Sequence, residues 1–164
     1  MNTTIRSVDS LKGHIRVPGD KSIAHRAVIL NSIAEGRAII ENFPFSKDCL
    51  NTIYAMTTMG AKIDMDISKS RVTIEGRGLK GLSIPPHPID VGNSGTTARL
   101  LIGLLAGQDF PSTITGDIYL CSRPMDRVIS PISNMGASLD DGKRPGYLPI
   151  DIYPSKLHGI DYTL

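Results

Sequence analysis

The sequence predicts an α/β (α+β) fold built from repeated βαβαββ units, and three observations lead there. The order strand, glycine turn, hydroxyl-bearing helix start, Arg, apolar helix occurs twice, around Val17–Leu30 and again around Ile89–Leu101. A Met-Gly-Ala triplet opening a polar/apolar alternation also recurs, at Met59-Gly60-Ala61 and Met135-Gly136-Ala137. Helical spacing of Ile23, Ala27, Leu30 and Ala34 gives way to period-two alternation in Lys62–Asp66 and Arg71–Glu75. Arg26 and Arg99 stand 73 apart and the two triplet glycines 76 apart, which places a small insertion between the helices of the second unit, near Asp117–Arg123.

Taken in order, residues 5 to 17 carry Ile5, Val8, Leu11, Ile15 and Val17 and read as short strands joined at Lys12-Gly13. Pro18-Gly19 ends this run, Asp20 or Ser22 caps a helix from about Ser22 to Ala34, and Glu35-Gly36 stops it. Arg37–Asn42 reads as a strand, and Ser46-Lys47-Asp48 opens a second helix that Met59-Gly60-Ala61 closes. Lys62–Asp66 and Arg71–Glu75 form a hairpin around Ser68-Lys69-Ser70. The pattern then restarts: Ile89-Asp90-Val91 as strand, a helix ending at Ala106-Gly107, a strand at Ser112–Gly116, and a helix from Met125 to Met135. The expected organisation is an N-terminal segment (1–17), a first unit (18–85), a second unit (86–157) and the opening strand of a third (158–164). With nothing following that last strand, the chain reads as truncated within a larger domain.

Composition narrows the function. The 164 residues are 40% hydrophobic and 21% charged, an ordinary globular balance that allows a buried core. Eighteen basic residues against sixteen acidic ones leave a net charge of +2, so no nucleic-acid surface is expected and any positive site must be local. No apolar run is long enough to span a membrane, and the N-terminus lacks the apolar core of a signal peptide. The expectation is a cytoplasmic protein without a membrane partner. Cys49 and Cys121 form no CxxC, and His14, His25, His87 and His158 have no metal-ligand spacing with them, so no metal is assigned.

Three polar clusters remain, all at helix starts. Lys21, Ser22 and Arg26 fall in the first turns of a helix, beside backbone N–H groups with no partner of their own. Such a start suits a phosphate or carboxylate. A P-loop does not fit, because the required upstream glycine is absent. Gly92-Asn93-Ser94-Gly95-Thr96-Thr97 is a donor-rich glycine turn without the GxGxxG spacing of a dinucleotide site. Ser122-Arg123-Pro124-Met125-Asp126-Arg127 lies at the insertion; Pro124 suits the first turn of a helix, with Arg123 at its entrance and Arg127 one turn on. Lys21, Arg26, Arg99, Arg123 and Arg127 together suit a small polyanion bearing more than one phosphate or carboxylate. Paired carboxylates and Ser-His-Asp arrangements do not stand out, so proton-transfer chemistry is poorly supplied.

Gly19-Asp20-Lys21-Ser22-Ile23-Ala24-His25-Arg26, Gly92-Asn93-Ser94-Gly95-Thr96-Thr97-Ala98-Arg99 and Arg123-Pro124-Met125 together closely resemble the enolpyruvyl transferases, in the branch that acts on shikimate 3-phosphate. The resemblance covers nearly the whole chain. It implies an inside-out α/β barrel architecture of two domains, each of three βαβαββ units around a pseudo-threefold axis, with substrates closed between them. It implies transfer of the enolpyruvyl (1-carboxyvinyl) group of phosphoenolpyruvate to the 5-hydroxyl of shikimate 3-phosphate, with release of phosphate, on the way to chorismate. By motif, Lys21 would touch both substrates and stabilise charge during catalysis, with Ser22 and Arg26 on shikimate 3-phosphate. Gly95 and Arg123 would hold phosphoenolpyruvate, and Asn93, Thr96 and Arg99 would line or brace that pocket. Neither metal nor organic cofactor is implied, and the herbicide glyphosate is the expected inhibitor, contacting Lys21, Gly95 and Arg123.

The resemblance also implies limits. A Ser-Ala-Gln motif for shikimate 3-phosphate would be expected just past Leu164, the other domain carries further catalytic carboxylates and basic residues, and residues 1–17 would cross to it. Residues 1–164 alone are therefore expected to be inactive without the missing C-terminal portion. Two alternatives are weighed against this reading. The sister transferase acting on UDP-N-acetylglucosamine shares the Gly-Asn turn and the Arg-Pro segment, but has Lys-Asn in place of Lys21-Ser22, lacks the His25-Arg26 pair and places a reactive Cys among glycines, where Cys121 has none. A non-catalytic fragment that acts only with a complementary chain is the other.

Overall fold

The computed structural model describes residues 3–163; Met1, Asn2 and Leu164 lie outside the described residues, and with them the ends of the expected 1–17 and 158–164 segments. The elements run α1 (Lys21–Ile33), β1 (Glu35–Ile40), α2 (Lys47–Thr58), β2 (Lys62–Asp66), β3 (Arg71–Arg77), β4 (Ile89–Asp90), α3 (Gly95–Leu105), β5 (Ser112–Thr115), α4 (Asp126–Asn134), β6 (Ser138–Asp140) and β7 (Ile150–Tyr153).

Capping chemistry sets the helix starts. Asp20, rather than Ser22, caps α1, its Oδ1 accepting from Ile23 N at 2.6 Å; Ser46 caps α2 and Ser94 caps α3 in the same way. The repeated Met-Gly-Ala triplets end α2 and α4 with one and the same motif. Gly60 N donates to Thr57 O and Ala61 N to Met56 O, while Gly136 N donates to Ser133 O and Ala137 N to Ile132 O. This double bond pattern requires the left-handed backbone that Gly60 (φ 86°) and Gly136 (φ 94°) adopt without steric cost.

Two sheets repeat one pairing scheme. The first has the order β1-β3-β2 and the second β4-β5-β7-β6; β3 in the first and β7 in the second each pair antiparallel with both neighbours, as Ala38 opposite Ile74 and Ile114 opposite Ile150 illustrate. In the second sheet β4 pairs parallel to β5. Alternation along the central strands turns Val72 and Ile74, and Ile150 and Ile152, inward. They meet Val28, Ile53, Met56, Leu101, Ile102 and Leu105 from α1, α2 and α3 in one continuous core. Burying each such side chain contributes about 1.5–3 kcal/mol.

Several sequence expectations are corrected. Residues 5–17 form no strand: Ile5, Leu11 and Ile15 stay exposed, and no strand in the position of β4 flanks β1. Alternation alone does not make a strand, because the backbone groups need a neighbour to bond. Residues 158–163 likewise form no strand. Glu35-Gly36 do not stop α1 but begin β1, opposite Arg77 and Gly76, and the helix ends on an extended Ala34 whose carbonyl accepts from Gly78 N. Pro124 precedes the capping residue Met125 of α4 instead of occupying its first turn.

Candidate functional site

Lys21 is the first residue of α1 and Asp48 the second of α2, and Lys21 Nζ lies 2.7 Å from Asp48 Oδ2. One helical turn further in, His25 Nδ1 lies 2.6 Å from Thr52 Oγ1. Both pairs span the same 27 residues, so α1 and α2 run side by side in the same direction with their N-termini level. The start of α3 joins them: Thr52 Oγ1 lies 2.6 Å from Thr97 Oγ1, and Asn51 Nδ2 donates to Val91 O at 2.8 Å. Three helix N-termini thus gather at one end of the molecule. Their unpaired N–H groups and positive dipole ends add to the Lys21 charge, and make that end attractive to anions. The hydrogen bond and charge of Asp48 raise the Lys21 amine above its usual range.

A second group surrounds the start of α3. Asn93 bridges a cation and an anion: its Oδ1 accepts from Arg123 Nη2 at 2.6 Å, and its Nδ2 donates to the Asp117 carboxylate at 2.8 and 3.1 Å. Asp117 in turn accepts from Leu120 N at 2.8 Å and shapes the turn that leads to Arg123. That backbone bond, followed by the Asn93 amide, holds the Asp117 carboxyl below the usual carboxylate range. Arg99 is committed to backbone, donating to Gly95 O at 3.2 Å and Pro124 O at 2.8 Å, and so braces the Arg123 loop against α3. A Cβ at Gly95 would lie 2.7 Å from Arg99 Nη1 and 3.7 Å from Arg123 Nη1, so the bare glycine keeps a backbone surface open beside two guanidinium groups. Arg123 is exposed and has donors left over after its bond to Asn93.

The expected site residues divide accordingly. Asn93, Gly95, Arg99 and Arg123 form one contacting cluster, and Lys21 is joined to it through α2 and the buried side chains of His25, Thr52 and Thr97. Ser22 and Thr96 are the second residues of α1 and α3, exposed, and their side chains make no hydrogen bond among the described residues. Arg26 is exposed at a cleft of about 290 Å³ with Ile29, Leu30, Ile33, Leu100 and Leu104. Arg127 is exposed on α4 and makes no contact to the cluster among the described hydrogen bonds and ion pairs. The helix caps also shift the repeat register: Asp20 and Ser94 stand 74 apart, which makes His25, not Arg26, the positional counterpart of Arg99.

Sequence reasoning missed Asp48 and Thr52, and reached Thr97 and Asp117 only as members of the donor-rich turn and of the inserted loop, without their partners. Asp48 read as an ordinary first-turn carboxylate, and only the 27-residue spacing shared by Lys21–Asp48 and His25–Thr52 on two helices could have signalled the pairing. Among the described residues no group of His, Cys, Asp and Glu side chains is placed to hold a metal ion, and no helix is long and apolar enough to cross a membrane.

Comparison with solved structures defines the class first. An EPSP synthase from Acinetobacter baumannii superposes with a TM-score of 0.87 at 40% identity, over 92% of this chain and 34% of that one. Among curated relatives, 3-phosphoshikimate 1-carboxyvinyltransferases of Hydrogenovibrio crunogenus and Oceanobacillus iheyensis are 51% and 50% identical, each over 94% of this chain. The EPSP synthase (3-phosphoshikimate 1-carboxyvinyltransferase) family matches residues 5–164, and the chain belongs to that family. It spans about a third of the length of these relatives, 35% and 36% respectively.

Proposed function

We propose that this chain supplies part of the active site of an enzyme that transfers the enolpyruvyl group from phosphoenolpyruvate to the 5-hydroxyl of shikimate 3-phosphate, releasing phosphate. The observation that carries the reading is the gathering of the α1, α2 and α3 N-termini at one end, with Lys21 cationic there and Arg123 held over the bare Gly95 backbone. Both substrates are compact polyanions, and preorganised N–H groups and guanidinium forks suit their phosphates and carboxylates.

In this reading Lys21 touches both substrates and stabilises charge as the addition intermediate forms and collapses. Ser22 and Arg26 face shikimate 3-phosphate, Gly95 and Arg123 hold phosphoenolpyruvate, Thr96 lines the pocket, and Asn93 and Arg99 brace it. Arg127 is a supporting cation on α4. Glyphosate, as a competitor of phosphoenolpyruvate, would occupy the space between Lys21, Gly95 and Arg123. The remaining two thirds of the family length would close over the site, so residues 1–164 alone bind weakly and do not turn over. The two unpaired cysteines suit a cytosolic setting.

The test is a chimera joining residues 1–164 to the remainder of the 51% identical relative, assayed for phosphate release. Release that requires phosphoenolpyruvate and shikimate 3-phosphate together supports the assignment. Release with UDP-N-acetylglucosamine instead, or none with either acceptor, overturns it.

A further inference from the structure

Four side chains that the catalytic reading leaves unused form a continuous buried chain: His25 on α1, Thr52 on α2, Thr97 on α3 and Ser94 at the cap of α3. Each is at most 1% exposed. Successive contacts are all 2.6 Å, from His25 Nδ1 to Thr52 Oγ1, Thr52 Oγ1 to Thr97 Oγ1, and Thr97 Oγ1 to Ser94 Oγ. Ser94 Oγ also accepts from Thr97 N at 3.3 Å, which fixes the first turn of α3. We propose that this relay is the positioning device that sets the distance between the Lys21 helix start and the Gly95 helix start, and with it the fit of phosphoenolpyruvate.

A dry core of Leu and Ile alone would leave α1 and α3 free to slide by fractions of an ångström, because apolar contact is non-directional. Hydrogen bonds between hydroxyls lose strength steeply with misalignment, and buried hydroxyls are costly to leave unpaired. Thr97 Oγ1 has one proton shared between two relay neighbours, while Thr52 Oγ1 also reaches the Asp48 carbonyl at 3.4 Å, which ties the relay to the first turn of α2 as well. Each hydroxyl has a single proton to give, so the bonds along the relay are mutually dependent. His25 Nε2, buried and without a hydrogen-bond partner among the described residues, leaves Nδ1 as the atom that anchors the imidazole there. Lys21 and Gly95 are the first residues of the helices so tied, four residues from His25 and two from Thr97. A misplacement of about 1 Å between groups that grip one small substrate can cost about a hundredfold in rate.

The inference rests on the proposed transferase reading, and its test is arranged so that the two fail differently. In the active chimera, Thr97→Val removes the hydroxyl that joins the units while keeping shape; Thr52 can still bond His25, and Thr97 N still reaches Ser94. The expected result is about a tenfold fall in kcat/KM for phosphoenolpyruvate, carried mainly by KM, with the fall largely reversed in Thr97→Ser. Ile102→Val, which trims a buried methylene on the same helix away from the relay, is the comparison: it lowers Tm without moving KM. Kinetics of Thr97→Val equal to those of the unaltered chimera overturn the positioning role and leave the transferase reading standing. So does a Thr97→Ser variant no better than Thr97→Val, or a KM change matched by Ile102→Val. Absence of transfer by the unaltered chimera overturns both.

Discussion

Asp48 holds Lys21 across two parallel helix starts, with 2.7 Å between carboxylate and amine although 27 residues separate them in sequence. The carboxylate aims Lys21 and offsets the repulsion that three helix dipoles direct at a cation there.

Replacing Asp48 by Asn is expected to lower the Lys21 amine toward its ordinary titration range, because the hydrogen bond and charge that raise it are removed. The Lys21 side chain is 53% exposed and that of Asp48 32%, so solvent screens the pair and Tm changes little. NMR titration of the Lys21 side chain with and without the substitution checks this; an unmoved titration would show that the pair does not persist in solution.

Gly95→Ala is expected to fold normally, since residue 95 is helical and alanine is favoured there. Its methyl group, 2.7 Å from Arg99 Nη1, displaces that guanidinium and fills the space beside Arg123. In the chimera, inhibition by glyphosate weakens by about tenfold or more, the scale of a lost charged hydrogen bond. Dose-response curves at fixed phosphoenolpyruvate measure it, and unchanged inhibition counts against the placement of that ligand.

Acid is expected to destabilise the fold through His25. Burial pushes its imidazole below the usual 6.5; the Asp48 carboxylate opposes this and the Lys21 ammonium reinforces it. The unfolded chain then binds more protons than the folded one as pH drops below about 6.5, so the stability present above that pH is lost progressively down to the folded-state value. Tm measured from pH 7.5 to 5 should fall more steeply for the natural sequence than for His25→Gln, which cannot charge. Parallel curves would locate the acid sensitivity elsewhere.

The twin helix stops give a stability prediction. Gly60→Ala and Gly136→Ala each force a side chain into the left-handed region, at a cost of about 1–2 kcal/mol. Gly136→Ala costs more, because its Cβ would lie 3.1 Å from His158 Nδ1 and 3.3 Å from Lys156 O, whereas Gly60 faces only Ser83 at 3.4 Å. Urea unfolding of the 164-residue chain ranks the two, and equal losses would contradict the crowding at His158.

Much of the local architecture was legible in the residues. The starts of α1, α2 and α3 were marked by Asp20, Ser46 and Ser94, and the Met-Gly-Ala triplets carried the ends of α2 and α4 because a left-handed glycine and two backbone bonds fit within six residues. Strand pairing was less legible: residues 5–17 alternate only loosely and, like Arg71–Glu75, read as strand, yet only the latter have neighbours.

The sequence by itself determined the two-fold recurrence of caps, turns and apolar spacing, and with it the gathering of basic side chains, hydroxyls and bare amides at the Lys21 and Gly95 helix starts. Tertiary structure alone decided that Asp48 faces Lys21, that Thr52 reaches both His25 and Thr97, and that Asn93 stands between Arg123 and Asp117. Caps and periodicity act within a turn or two of chain, where neighbours are fixed by covalent geometry. Partners 24 to 45 residues apart are chosen by how helices and sheets close over a shared core, and no single stretch of sequence contains that choice.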